Sequence, residues 1–219
     1  VYGLGWTGTA SKWFAADGGT STTGGFRGMY SSSGGNKALG SQGSGSATGF
    51  FGLVIQNTSG TTINNLALSY DAVINRNPST TANPFPLSYR VTTQGVVSGT
   101  SAADGTFSNT AGSWAASTLG FSTPTSGTGA PGTQAAINPM FTIGTRAGNL
   151  TGLNWGNNQY LYIRWQETDD SGSDATAGVD NFSLSLLQAS SLTWNLAGGG
   201  TWDTTTANFT NGTNAVPFT

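Results

Sequence analysis

The chain contains no cysteine and no histidine among its 219 residues. Without cysteine there is no disulfide framework, thiolate metal site or thiol nucleophile. Without histidine, histidine-based acid–base catalysis, activation of a serine by histidine and histidine-ligated zinc are excluded. We therefore predict that the chain is not an enzyme.

Charge is also scarce, because only 7% of the residues are charged and the formal net charge is −2. Soluble domains usually carry about 25% charged residues. The few lysines and arginines form no basic stripe, so nucleic acid is not an expected partner. The longest apolar run, "FFGLVI" at residues 50–55, is too short to span a bilayer. Because the chain begins at Val1, we expect a mature secreted protein whose signal peptide has been removed.

The apolar residues recur with the period of β-strands. Aromatic residues make up 11% of the chain, with seven Trp, so it has enough bulk to bury a core. In "QYLYIRWQ" at residues 159–166, Leu161, Ile163 and Trp165 alternate with polar or amphipathic neighbours, as in a strand with one buried face. Glycine or proline interrupts nearly every longer window, which rules out sustained helices. We predict an all-β, antiparallel β-sandwich.

Composition changes after Gln188, which divides the chain into a predicted sandwich at residues 1–187 and a tail at residues 188–219. The tail repeats a short Trp-containing pattern between Gly and Asn turns and is too short to own a core. Its strands need partners, and it has almost none of the Lys and Pro that block strand pairing. We therefore predict that the tail mediates assembly, with Trp194, Trp202 and Phe209 as buried anchors.

Two stretches resemble known modules. The segment "RWQETDDSGSDATAGVDNFSL" is similar to the end of jelly-roll β-sandwich modules found in large secreted bacterial surface proteins, in which an R-W-x-x-x-D-x-S-G-S-D turn precedes the last strand. That resemblance covers residues 25–187. The tail "LTWNLAGGGTWDTTTANFTNG" resembles autotransporter-associated β-strand repeats. Together they imply a jelly-roll-type sandwich with a short β-rich extension, which is bacterial, secreted or on the cell surface, and not catalytic.

The acidic turn at residues 167–181 holds five of the nine acidic residues. Ca²⁺ takes six to eight oxygen ligands from carboxylates, amides and carbonyls, and Asp169, Asp174, Asp180 and Asn181 offer such a set. The alternative is a solvated hairpin loop, where Asp, Ser and Gly are favoured by turn chemistry alone. A glycosidase pair would need Glu167, the only glutamate, opposite a second carboxylate across a cleft, whereas all these groups share one loop.

The second candidate site is the polar face of the strand at residues 159–166. Aromatic rings stack on sugars, and Arg and Gln bind hydroxyl groups, so we predict a glycan-binding face formed by Tyr160, Tyr162, Arg164, Gln166 and Arg90. The alternative is ordinary cross-strand tyrosine pairing on a solvated or tail-covered sheet face.

Two functions follow from these observations. The first is a structural or adhesive extracellular subunit that binds itself or other surface proteins by strand pairing, as a homo-oligomer or fibre. The second is a carbohydrate-binding module with a structural calcium ion.

Overall fold

The structure is a computed structural model. It describes residues 2–3, 13–16, 24–30, 37–43, 48–93, 95, 113–126, 137, 139–168, 173–187, 193–194, 205, 209–210 and 215–216. The chain divides into two compact units, Val1–Leu186 and Leu187–Thr219.

Every regular element in this described part is a β-strand, which confirms the all-β prediction. The strands are β1 (Tyr2–Gly3), β2 (Trp13–Ala16), β3 (Gly25–Tyr30), β4 (Lys37–Gln42), β5 (Thr48–Gln56), β6 (Leu66–Arg76), β7 (Pro84–Thr92), β8 (Ala115–Ser122), β9 (Phe141–Leu150), β10 (Tyr160–Thr168), β11 (Thr176–Leu186), β12 (Thr193–Trp194), β13 (Phe209–Thr210) and β14 (Ala215–Val216).

The first unit contains two sheets. A five-stranded sheet has the order β1-β5-β10-β7-β8, and a six-stranded sheet has the order β2-β3-β4-β11-β6-β9. Neighbouring strands run antiparallel, except that β2 pairs with β3 in parallel. The jelly-roll connection pattern that the resemblance implies stays a prediction.

The core lies between the two sheets and is built from alternating side chains. Leu161, Ile163 and Trp165 of β10 are fully buried, as their alternation predicts. The Trp165 ring stacks on Phe51 with centroids 5.6 Å apart, and Tyr70 of β6 meets it edge-on at 5.1 Å. Aromatic contacts therefore join the two sheets at the centre of the unit.

One side of this unit is closed by β8 and β9. Leu119 of β8 belongs to the core, and a methyl group added at Gly148 of β9 would lie 2.9 Å from its Cδ2 atom. The Tyr70 hydroxyl donates to the Leu119 carbonyl oxygen. The two sheets therefore meet along this side.

The second unit contains a three-stranded antiparallel sheet in the order β12-β13-β14. Each of these strands is two residues long. So small a sheet is marginal on its own in water.

Candidate functional site

The predicted glycan-binding residues lie together on the outer face of the five-stranded sheet. Tyr162 of β10 is opposite Arg90 of β7, and Arg164 is opposite Ser88. Phe50 of β5 lies on the same face and packs with Tyr162. Strand pairing therefore brings the predicted residues side by side.

The Arg164 side chain is held between two aromatic rings. Its guanidinium carbon lies 4.3 Å from the Phe50 ring centre and 3.5 Å from that of Trp114. Its Nε donates to the Ser88 hydroxyl at 3.0 Å, and only 6% of the residue is exposed. Such desolvated cation–π contacts each contribute about 2 kcal/mol. Arg164 is therefore fixed within the fold.

Trp114 covers this face from the segment just before β8. Its ring meets Tyr162 edge-on at 6.5 Å, and Arg90 lies 4.7 Å from the Trp114 ring centre. Gly95, which follows β7, lies against the Tyr160 ring, because a methyl group there would be 2.8 Å from the ring carbon Cζ. The connection between β7 and β8 thus contributes groups that lie on the predicted binding face.

Burial has an electrostatic consequence here. Burial, together with the nearby positive charge of Arg90, lowers the pKa of Arg164 to about 10. Tyr162 is fully buried, whereas Tyr160, Gln166 and Arg90 are half-buried. Only the rim of the predicted face is therefore open to a ligand.

The acidic turn divides into separate environments. Asp169 lies outside the described residues. Asp174 is buried, and its Oδ1 accepts a hydrogen bond from Asn83 Nδ2 at 2.9 Å. Its backbone carbonyl oxygen accepts one from Arg76 Nη1 at 3.0 Å. Asp174 is thus bonded within the fold.

Asp174 belongs to a buried charge cluster, by which we mean Arg27, Arg76, Glu167 and Asp174, all almost fully buried. A methyl group at Gly43 would lie 2.3 Å from Glu167 Oε1 and 2.8 Å from Asp174 Oδ2, so both carboxylates converge over this glycine. The formal charges of the two arginines and the two acidic residues sum to zero.

Burial lowers the pKa of both arginines in this cluster. For Arg76 the larger effect is desolvation, and the negative charge of the nearby Asp174 raises the pKa again in part. Desolvation also lowers the pKa of Arg27, and the positive charge of Arg76 adds to that effect. Gln42 Oε1 accepts hydrogen bonds from Arg27 Nη2 at 3.0 Å and from the Thr176 hydroxyl at 2.9 Å. Polar groups therefore surround the charges.

Asp180 and Asn181 lie at a bulge in β11, where the pairing with β6 shifts register. Asn181 has a φ of 48°, a conformation that Asn tolerates better than other residues with side chains. Its Nδ2 donates to Asp71 Oδ2 at 2.8 Å, and the Thr145 hydroxyl donates to Asp71 Oδ1 at 2.5 Å. These hydrogen bonds, first that of Asn181 and then that of Thr145, lower the pKa of Asp71.

Two of the predicted calcium ligands, Asp174 and Asp180, therefore lie in different places. Asp180 follows Asp174 by six positions in an extended segment, which corresponds to roughly 20 Å at 3.3 Å per residue. Within the described ranges no group of three or more Asp and Glu side chains is placed to hold a metal ion. A calcium site that includes Asp169 stays a prediction.

The side of the sandwich opposite β8 and β9 carries a groove between β5 and β11. Two neighbouring cavities of about 240 and 280 Å³ make up this edge groove. The first is lined by residues that include Leu53, Trp165 and Phe182, and the second by residues that include Ile55 and Leu184. Leu186, which is 50% exposed, lines the outer end.

Both strands that flank the edge groove have an open edge in the described part of the chain. Among the described residues, β4 pairs with β11 only at residues 177–179, so Asp180–Leu186 has β6 as its one pairing strand. In the same described part, β1 pairs with β5 only at Gly52 and Phe51, so residues 53–56 have β10 as their one pairing strand. Backbone N–H and C=O groups therefore face outward along both strands.

Two of the predicted assembly anchors lie on paired strands of the second unit. Trp194 of β12 is the register partner of Phe209 of β13, whereas Trp202 lies outside the described residues. The pairing brings two anchor positions together, and their role in assembly stays a prediction.

Sequence reasoning did not connect several residues with the two sites. Trp114 is one of three tryptophans near predicted loops that could bind a ligand or cap the core, and nothing in the sequence links it to Arg164 or Tyr162. Gly43, Arg27 and Arg76 carried no local signal, because their partners are far away along the chain.

No protein family, no curated protein and no solved structure matches this chain. No helix in the described residues is long and apolar enough to cross a membrane.

Proposed function

We propose that this chain is a non-catalytic structural or adhesive subunit of an extracellular assembly, and that it self-associates by strand pairing. The observation that supports this most strongly is the open edge of β11 at Asp180–Leu186, together with that of β5 at residues 53–56. Unpaired N–H and C=O groups at a sheet edge accept a strand from another chain.

Natural proteins normally block such edges with lysine, proline or inward-pointing charges. After Asp180, β11 continues as "NFSLSL", and β5 ends as "LVIQ". Neither stretch contains a charged residue or a proline. An edge without these blocking residues favours association with another chain.

The polar groups that first suggested ligand chemistry support the same proposal. Arg164 is held between Phe50 and Trp114, and Asp174 is bonded to Asn83 and Arg76. Groups engaged in this way stabilise the fold, and the edge groove remains as an open apolar surface.

Carbohydrate binding is the second candidate, and one observation favours it. Tyr160, Gln166, Arg90 and Trp114 are all half-buried, so an aromatic and polar rim remains at the sheet face. A sugar bound there would stack on a ring and bond to Gln166 or Arg90. This alternative includes the predicted structural calcium ion.

A glycan array combined with size-exclusion chromatography of the full chain separates the two. Self-association without a glycan hit supports the structural subunit. A specific glycan hit on a strict monomer, lost in Gln166→Ala but retained in Thr142→Ala, at an exposed position of the other sheet, supports the binding module and contradicts our proposal. Turnover of a polysaccharide that disappears in Glu167→Gln would show that the chain is an enzyme.

A further inference from the structure

We infer that the edge groove binds the same groove of a second copy, with the two β11 edges paired antiparallel about a two-fold axis. This inference rests on the proposed self-association and names the surface that carries it. A self-complementary patch used by both copies is the usual geometry of a two-fold dimer.

The pairing of the two edges satisfies both the backbone and the apolar side chains. Phe182 and Leu184 of β11 pack against the core from the groove side and are half-buried, and Leu186 is 50% exposed. An antiparallel copy places Phe182 of one chain near Leu184 or Leu186 of the other when the axis passes Ser183 or Leu184, and Leu184 near Leu186 when it passes Ser185, on the same face of the extended sheet. Aromatic–aliphatic cross-strand pairs of this kind stabilise sheets.

Charge is compatible with a second copy as the occupant. Among the described residues that line the two cavities, the charged ones are Lys37 and Asp180, of opposite sign and both at one end of the groove. The paired stretch from Asn181 to Leu186 is uncharged. Two copies therefore meet without repulsion and bury no unpaired charge.

The size of the groove predicts a weak dimer. The segment Asp180–Leu186 extends over roughly 20 Å, and two packed sheets with their side chains are about 20 Å thick. One copy therefore offers on the order of 400 Å², about half of the ~800 Å² per partner in stable complexes. Association at this surface is transient in isolation, and a second contact such as the tail is needed to build a fibre.

Cysteine cross-linking of the full chain tests the arrangement, because the chain has no cysteine of its own. Ser183 and Ser185 are exposed on β11. Directly opposed residues of antiparallel strands have Cα atoms about 4.5–5.5 Å apart, within the range that a disulfide bridges. Thr142→Cys, at an exposed position of β9, is the matched control on the other edge of the same sheet.

The expected result depends on the centre of the two-fold axis. A disulfide dimer forms in Ser183→Cys if the axis passes Ser183, in Ser185→Cys if it passes Ser185, and only in a mixture of the two if it passes Leu184. Oxidised Thr142→Cys stays monomeric. Ser183→Lys, a blocking charge on the edge, abolishes self-association and keeps the melting temperature, whereas Thr142→Lys leaves self-association unchanged.

Different results would overturn the groove assignment and the proposed self-association. The groove assignment is overturned if the chain self-associates but no disulfide dimer forms in Ser183→Cys, in Ser185→Cys or in their mixture, and Ser183→Lys leaves self-association unchanged. The contact then lies on another surface. A wild-type chain that stays monomeric at about 1 mM, the concentration range of weak interfaces, overturns the proposed function as well.

Discussion

Replacing Arg76 with methionine tests whether the buried charge cluster is a balanced set. Methionine fills most of the arginine volume and carries no charge. The change leaves two buried carboxylates, Glu167 and Asp174, with Arg27 as the remaining cation of the cluster, and removes the Nη1 donor of the Asp174 carbonyl oxygen. Removing one partner of a buried ionic set typically costs about 3–5 kcal/mol.

That cost is large for a chain of this size. One kcal/mol lowers the melting temperature of a domain of 150–250 residues by about 2–4 °C, so Arg76→Met should lower it by roughly 6–20 °C. Urea unfolding followed by tryptophan fluorescence gives the free energy, and calorimetry gives the temperature. Arg146→Met, at a half-buried position of β9 outside the cluster, is the control and should change the free energy by less than about 0.5 kcal/mol.

The double mutant Arg76→Met/Asp174→Asn tests whether the effects of the two changes depend on each other. Asp174→Asn removes one negative charge and keeps an oxygen that accepts the Asn83 hydrogen bond. If the cluster is balanced, Asp174→Asn is less costly in the Arg76→Met background than alone, with a coupling of about 0.5–3 kcal/mol. Strictly additive effects, or a cost below about 1 kcal/mol for Arg76→Met, would refute the electrostatic account of the cluster.

Three further predictions concern other groups. Burial raises the pKa of Tyr70 from 10.0 to about 12, so the folded state favours the neutral phenol. The stability that this preference adds is complete below pH 10 and falls by about 2–3 kcal/mol as the pH rises towards 12, at 1.36 kcal/mol per pH unit. Tyr70→Phe should remove this fall from the curve of unfolding free energy against pH, measured by urea unfolding. Trp114→Leu should lower stability by about 1–3 kcal/mol through loss of the cation–π contacts with Arg164 and Arg90, and an unchanged urea midpoint would contradict the packing described for this face. If the acidic turn binds calcium, Ca²⁺ at 100 times its dissociation constant should add about 2.7 kcal/mol and Asp174→Ala should abolish the gain, whereas identical melting curves in Ca²⁺ and EDTA would rule the site out.

The strands and the core were predictable from the sequence because both depend on local alternation. Leu161, Ile163 and Trp165 repeat at every second position, and a strand with that pattern buries one face wherever its neighbours lie. The same alternation placed Tyr162 and Arg164 on the opposite face. Local pattern therefore fixed which residues share a face.

The burial of that opposite face was not predictable, because Trp114 covers it from a segment remote in sequence. No period or spacing links Trp114 to Arg164. The separation of Asp174 from Asp180 escaped prediction for a related reason: closeness in sequence does not mean closeness in space once the chain is extended. Spacing arguments hold for compact turns and fail where a turn runs into a strand.

Sedimentation velocity of the full, unmodified chain over a concentration series tests the central claim most directly. We expect the monomer at about 10 µM and an increasing share of larger species towards about 1 mM, as a small interface requires. The increase should persist in high salt, because the pairing segments carry no charge and screening weakens only charged contacts. A single monomer boundary throughout the series would contradict the proposal that this chain is a self-associating structural subunit.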